Sequence, residues 1–112
     1  MDEYSKKYLI DVLNACKEIE SFFNGEKIFA EFEKDIMKQR AVERNVEIMG
    51  EAITHLLKNN PDIILNNAKA VINTRNRVIH GYDSVTPEFL WSLVIKHIPQ
   101  LHKDVLSLLQ ND

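Results

Sequence analysis

The stretch AVERNVEIMGEAITHLLKNNP occupies residues 41–61 and carries the clearest structural pattern of the chain. Its apolar residues recur at three- and four-residue intervals, at Val42, Ile48-Met49, Ala52-Ile53 and Leu56. That spacing places them along one side of an α-helix, opposite the charged residues. The helix should end at Asn59-Asn60-Pro61, because the residue before a proline is pushed out of the helical region. We therefore predict a long amphipathic helix that starts near Phe29, with a break near Asp35.

Similar patterns lie on both sides of this stretch. A first helix is predicted from about Asp2 to Phe23, where Asn24-Gly25 can adopt the left-handed conformation that ends helices. A third helix is predicted from about Asp62 or Asn66 to His80. A fourth begins at Thr86-Pro87-Glu88, which suits a helix start, and its apolar face continues to Leu108 with a kink expected at Pro99.

These four helices and their short connections predict an all-α fold. The expected architecture is an antiparallel four-helix bundle, or one of up to five helices, forming a single domain over residues 1–112. A chain of this length has a modest core, and a two-fold homodimer would enlarge it. Gly50 lies inside the second helix, where it costs about 1 kcal/mol relative to alanine. Close approach of another helix would explain the glycine at this position. So would simple tolerance of a glycine there, without a packing role.

Composition excludes several functional classes. The formal net charge is -3, so the chain is not a strongly basic domain that holds nucleic acid by bulk electrostatics. Its one cysteine, Cys16, allows neither an intrachain disulfide nor a cysteine zinc site, and its apolar neighbours predict a buried side chain. The start of the chain lacks a signal-peptide pattern, and no apolar run approaches a membrane span. We expect a cytoplasmic protein without membrane contact.

The residues that point to chemistry are RNRVIHGY, residues 75–82, at the end of the third helix. Histidine takes up and releases a proton near neutral pH, and arginine presents a fork of donors that matches a phosphate. Together, His80 and Arg75 suit cleavage of RNA through its own 2′-hydroxyl, with no metal ligand nearby. However, the two side chains would point about 140° apart on an ideal helix, whereas Asn76 and His80 share a side. Either the helix unwinds before Gly81 or a second protomer completes the site, so we predict a composite site along a dimer interface.

The spacing of Arg75, His80 and Tyr82, Arg-x4-His-x-Tyr, resembles the signature of HepT-like toxins in the HEPN superfamily. The segment QRAVERNVEIMGEA, residues 39–52, is similar to the second-helix segment of that family. Trp91 and Ile98-Pro99-Gln100-Leu101 resemble its last helix. The resemblance covers about Arg40 to Leu109, which is most of the chain.

This resemblance implies a helical homodimer that cuts RNA without a metal or other cofactor. Arg75 and His80 would be the catalytic pair, and Asn76 would orient the phosphate or the histidine. It also implies a partner, a minimal nucleotidyltransferase antitoxin of a type VII-like toxin-antitoxin system. The antitoxin would transfer AMP from ATP to Tyr82, which would add bulk and negative charge two residues from His80.

Each of these residues also has a structural interpretation. Arg75 could pair with an acidic residue of the second helix, at Glu43, Glu47 or Glu51. Tyr82 could pack over the end of the bundle. Arg77 could complement the helix dipole or contact an RNA phosphate. A further set of basic residues forms either a solvated helix face or a local RNA-binding surface: Lys38, Arg40 and Arg44. The remaining histidines lack ligand-like partners and are expected at the surface or an interface: His55, His97 and His102.

Two functions compete at this stage. The first is an RNA-cutting toxin restrained by a nucleotidyltransferase, which the intact motif from Arg75 to His80 favours. The second is a non-catalytic, substrate-binding subunit of a nucleotidyltransferase complex, which the acidic net charge favours because a free nuclease gains from positive charge. A helical dimerisation module without a ligand is a third alternative.

Overall fold

The computed structural model describes residues 1–111, which form six α-helices and one short 3₁₀ turn. The helices are α1 (Glu3–Ser21), α2 (Phe29–Lys34), α3 (Ile36–Asn59), α4 (Ala68–His80), α5 (Pro87–Lys96) and α6 (Ile98–Gln110). The 3₁₀ turn, Tyr82–Ser84, lies between α4 and α5. No strand occurs within the described residues, and the predicted all-α bundle is confirmed.

Helix α3 is the centre of the bundle, because it contacts α1, α2, α4 and α5. Most of the apolar face predicted for residues 41–61 is buried there. Val42, Met49, Ile53 and Leu56 are fully inaccessible to solvent, whereas Ile48 is 37% exposed. Helix α6 closes the bundle against α1 and α5. These helices share one hydrophobic core, so burial of their apolar faces is the main source of the stability of the fold.

Two of the predicted helices are each divided in two. Asp35 separates α2 from α3, and its side chain accepts a hydrogen bond of 2.9 Å from the Lys38 amide, which caps α3. The kink expected at Pro99 is a complete break instead, since α5 ends at Lys96 and α6 begins at Ile98. Pro99 lies in the first turn of α6, where its missing N–H is not needed.

The predicted helix ends are confirmed where local chemistry specifies them. Asn24 and Gly25 adopt positive φ angles of 45° and 88° after α1. Thr86 caps α5, because its hydroxyl accepts a hydrogen bond of 3.1 Å from the Phe89 amide. Pro87 occupies the first helical position, as its fixed φ angle favours. No helix in the described residues is long and apolar enough to cross a membrane.

Gly50 is explained by the crossing of α3 and α4. A Cβ atom built on Gly50 would lie 2.8 Å from both Cβ and Cδ of Arg75 and 2.9 Å from its Cγ. Side-chain carbons do not approach this closely, so the stem of Arg75 fills the place where another residue would have its side chain. The close approach considered from the sequence is therefore confirmed, and the residue that approaches is a candidate for catalysis.

Cys16 is buried as predicted, with its thiol 3.8 Å from the sulfur of Met49. Burial raises the pKa of this thiol to about 12, and the nearby charge of Glu20 contributes in the same direction. The folded protein therefore holds Cys16 as an unreactive thiol at neutral pH.

We expect Cys16 to resist iodoacetamide at pH 8 in the folded protein and to react readily in urea. The reactive thiolate is scarce in the fold, whereas unfolding exposes the thiol and returns its pKa to the ordinary range. Mass spectrometry of the alkylated chain over time measures both rates. Equal rates with and without urea would contradict the burial described here.

Candidate active site

Helix α4 presents the predicted catalytic residues on two different sides. It is helical through His80, so the unwinding before Gly81 considered from the sequence does not occur in this structure. His80 and Asn76 are both exposed and, four residues apart, share the outward side of α4. Arg75 instead turns towards α3. The structure of one protomer therefore brings Asn76 and His80 together and keeps Arg75 apart from them.

Arg75 is held by packing and lacks an internal partner for its buried nitrogen. Its stem lies on Gly50, and its Nε atom is buried without a hydrogen bond in the part of the chain described. The side chain borders a groove of about 270 Å³ between α1, α3 and α4. A buried donor without a partner costs free energy, which a ligand oxygen or a water molecule in the groove would recover.

The carboxylates considered as partners of Arg75 pair with other residues. Glu43 accepts a hydrogen bond of 2.7 Å from Arg40, Glu47 lies 3.3 Å from Arg44, and Glu51 lies 4.0 Å from His55. No ion pair to Arg75 is found among residues 1–111. The structural interpretation of Arg75 as an internal ion-pair partner is therefore not supported.

Tyr82 lies in the 3₁₀ turn that follows α4, and its side chain is 53% exposed. The guanidinium carbon of Arg40 lies 5.4 Å from the centroid of its ring, within the range of a cation–π contact. Arg40 also pairs with the buried carboxylate of Glu43, so it links α3 to the turn. Tyr82 thus packs against the bundle through one contact while most of its ring remains accessible.

Lys38 and Arg44, the other basic candidates on α3, lie near acidic residues of the same helix segment. Lys38 Nζ is 4.0 Å from Asp35, and Arg44 is 3.3 Å from Glu47. Their positive charges are partly neutralised locally. This arrangement favours the interpretation of a solvated helix face over that of a continuous basic surface.

Arg77 occupies the side of α4 opposite Arg75. Its guanidinium carbon lies 4.2 Å from the centroid of the Phe89 ring on α5. The two residues line a second groove, of about 240 Å³, between α4 and α5. Phe89 could not be singled out from the sequence, because its ring lies beside the apolar pattern of α5 and its contact with Arg77 forms only where α4 packs against α5.

The other histidines have structural partners. His97 Nδ1 is 2.8 Å from the side-chain oxygen of Asn67, His102 Nδ1 is 3.2 Å from Glu20, and His55 stacks on Tyr8 at 5.3 Å. Within residues 1–111, His, Cys, Asp and Glu side chains form no group of three that could hold a metal ion.

The architecture and the site define a class of protein. It is an all-α bundle with an arginine and a histidine in the last turns of one helix and a tyrosine in the turn that follows. The sequence model of the family described as Ribonuclease HepT-like matches residues 12–108. The chain belongs to this family, as the motif from Arg75 to Tyr82 indicated.

Relatives extend over nearly the whole chain. A protein of Methanocaldococcus jannaschii with a provisional RNase name is 32% identical over 111 residues, which are 95% of this chain and 88% of the relative. A Caldanaerobacter subterraneus protein, also provisionally named an RNase, is 32% identical over 96% of both chains. A Thermococcus cleftensis protein provisionally named ribonuclease HepT is 33% identical over 90% of this chain and 92% of its own. No solved structure matches.

Replacement of Gly50 by alanine should destabilise the protein and displace Arg75. Alanine favours the helix by about 1 kcal/mol, but overpacking should cost about 2 to 3 kcal/mol, the upper part of the usual range, because the atoms in contact lie in the stem of Arg75 and not at its flexible end. We expect the free energy of unfolding to fall by about 1 to 2 kcal/mol, as measured by urea denaturation followed by circular dichroism.

Gly81→Ala is the matched control for this prediction. Gly81 has a negative φ of -119°, and the nearest atom to an added Cβ is the exposed Ser84 hydroxyl at 3.3 Å, which needs to shift by only a few tenths of an ångström. The free energy of unfolding of the Gly81→Ala variant should differ from that of the wild type by less than about 0.5 kcal/mol. A Gly50→Ala variant as stable as this control would show that the α3–α4 crossing tolerates a side chain.

Proposed function

We propose that this chain is a metal-independent RNA endonuclease toxin of a type VII-like toxin-antitoxin system. This proposal rests mainly on the environment of Arg75 and His80 on α4. Arg75 is fixed by packing on Gly50 with an unpartnered Nε, and His80 is exposed five residues later. Membership of the HepT-like ribonuclease family supports RNA as the substrate.

The proposed reaction is an internal transesterification of RNA. The 2′-oxygen attacks the adjacent phosphorus, so a bond forms between them while the bond from phosphorus to the 5′-oxygen breaks. The 2′-hydroxyl loses its proton, the leaving 5′-oxygen takes one up, and a 2′,3′-cyclic phosphate remains. His80 would transfer a proton, and Arg75 would stabilise the charge that builds on the phosphate oxygens. Asn76, on the same side as His80, would orient the phosphate or the imidazole.

A homodimer would complete the active site. Because α4 is helical through His80, Arg75 and His80 of one protomer face different directions. Two apolar side chains that line the same groove as Arg75 are partly exposed, Ile48 at 37% and Ile79 at 42%. A two-fold contact on this side would cover them and would place Arg75 of one protomer near His80 of its partner.

Transfer of AMP to Tyr82 would inactivate the enzyme. The tyrosine oxygen would attack the α-phosphorus of ATP, release pyrophosphate and lose its proton. The accessible ring supports modification by a nucleotidyltransferase antitoxin, and Arg40 lies close enough to pair with the new phosphate. The attached nucleotide would hinder RNA from reaching His80 through bulk and negative charge.

The purified chain should cleave single-stranded RNA in the presence of EDTA, and His80→Ala and Arg75→Ala should each lower the rate at least about 100-fold. These are the expected losses when a proton-transfer group or a charge-stabilising group is removed. Gel electrophoresis of labelled RNA measures the rate, and Lys103→Ala on α6 is the control. If the wild type leaves RNA intact, the ribonuclease proposal is wrong, and the two non-catalytic functions considered from the sequence remain.

Mixing the two inactive variants tests the composite site. In a heterodimer of Arg75→Ala and His80→Ala protomers, one site retains Arg75 from one chain and His80 from the other. Random exchange of subunits makes about half of the dimers heterodimers, each with one intact site of two, so about a quarter of the wild-type activity should return. No recovery after refolding the mixture together would indicate that each protomer uses its own pair.

Co-expression with a cognate minimal nucleotidyltransferase should add one or more adenylyl groups to Tyr82 and abolish RNA cleavage. Intact-mass spectrometry and peptide mapping detect the modification. Tyr82→Phe should remain unmodified and escape inactivation, while Tyr4→Phe, which removes another exposed tyrosine, should behave as the wild type. A stable inactive complex with an unmodified Tyr82 would show inhibition by binding alone.

A further inference from the structure

Helix α4 carries positive charge without compensation on the helix itself. It contains Lys69, Arg75 and Arg77 and no aspartate or glutamate, whereas every other α-helix in the described region contains at least one acidic residue. This occurs in a chain with a net charge of -3. The positive potential that an RNA phosphate requires is therefore concentrated on one helix.

The two grooves that flank α4 differ in charge. The groove beside Arg75 is lined by Asp11, Glu47 and Glu51 in addition to its basic residues. The α4–α5 groove has no acidic residue in its lining, which consists of Ala70, Asn73, Thr74, Arg77, Phe89, Ser92, Leu93 and His97. An RNA strand lying along the first groove would meet three carboxylates, so charge favours the second groove for the nucleotides that flank the cleaved phosphate.

The α4–α5 groove also leads towards the proposed catalytic histidine. His80 follows Arg77 by three residues, about 4.5 Å along the helix axis and about 60° around it. Asn73 and Asn76 continue the same polar side of α4 and are both exposed. A strand with one phosphate at His80 would thus have its neighbouring nucleotides beside Arg77 and Phe89.

We propose that the α4–α5 groove binds the single-stranded RNA segment next to the phosphate that is cleaved. Arg77 contacts a backbone phosphate, and the aromatic ring of Phe89 stacks on a base. In the free protein the Arg77 guanidinium covers this ring at 4.2 Å, and no ion pair to Arg77 is found within residues 1–111. When Arg77 turns to a phosphate, the ring face opens to a base. This inference rests on the proposed function, since RNA is its substrate.

RNA affinity, measured in a variant that cannot cleave RNA, tests whether this groove binds RNA. All variants carry His80→Ala, and fluorescence anisotropy of a labelled single-stranded oligoribonucleotide gives the dissociation constant at several salt concentrations. Arg77→Ala should weaken binding at least about fivefold and reduce the slope of log affinity against log salt by about 0.7, the value for one phosphate contact to a single strand. Phe89→Ala should weaken binding at least about fivefold through lost stacking.

Conservative variants distinguish the loss of an RNA contact from a general loss of folding. Arg77→Lys keeps the charge and should retain the salt slope, and Phe89→Leu keeps apolar bulk but should lose the stacking contribution. Arg44→Ala tests the groove beside Arg75, which Arg44 borders. The control for the loss of a positive charge is Lys103→Ala, because Lys103 is exposed on α6 and lines neither groove. The RNA affinity of this control should stay within about twofold of the parent, as expected when no phosphate contact is lost.

The outcomes distinguish this inference from the proposed function. Equal RNA affinity with and without Arg77→Ala would overturn the groove as an RNA site, even if the wild type cleaves RNA. The same holds if Arg44→Ala has the larger effect, or if Arg77→Ala weakens only binding of the nucleotidyltransferase. A wild type that binds RNA through Arg77 but never cuts it would overturn the proposed function and leave the groove supported.

Discussion

The contact between Arg75 and Gly50 sets the relation between the core and the candidate site. Gly50 lets α4 approach α3 so closely that the Arg75 stem occupies the space of a side chain on α3. The stem then has little freedom, and the Arg75 side chain lines the groove between α1, α3 and α4. Since this packing fixes the rotation of α4, it also fixes which residues of α4 point outward, including Asn76 and His80.

This rotation divides the functional residues of α4 between two grooves. Arg75 lies beside α1 and α3, Arg77 lies beside α5, and His80 extends from the outward side near the helix end. Net charge is a poor guide to the partners of such a protein. Local charge on α4 is positive, although carboxylates elsewhere make the whole chain acidic.

Much of the fold could be predicted from the sequence because its patterns are local. The spacing of apolar residues specified the main helices, and the turn residues at Asn24-Gly25 and Thr86-Pro87 specified where two of them end or begin. The division at Pro99 was expected only as a kink. Whether a proline bends a helix or ends it depends on how α5 and α6 pack on the bundle, which local patterns do not determine.

By itself, the sequence determined the helical bundle and the identity of the motif from Arg75 to Tyr82, because periodicity and spacing are properties of short segments. It also showed that Arg75 and His80 cannot share one side of a helix. Only the tertiary structure decided that α4 stays helical, that Gly50 receives the Arg75 stem, and that Arg40 and Phe89 lie against Tyr82 and Arg77. These contacts join residues from different helices, so they depend on how the helices cross and rotate, which no single segment specifies.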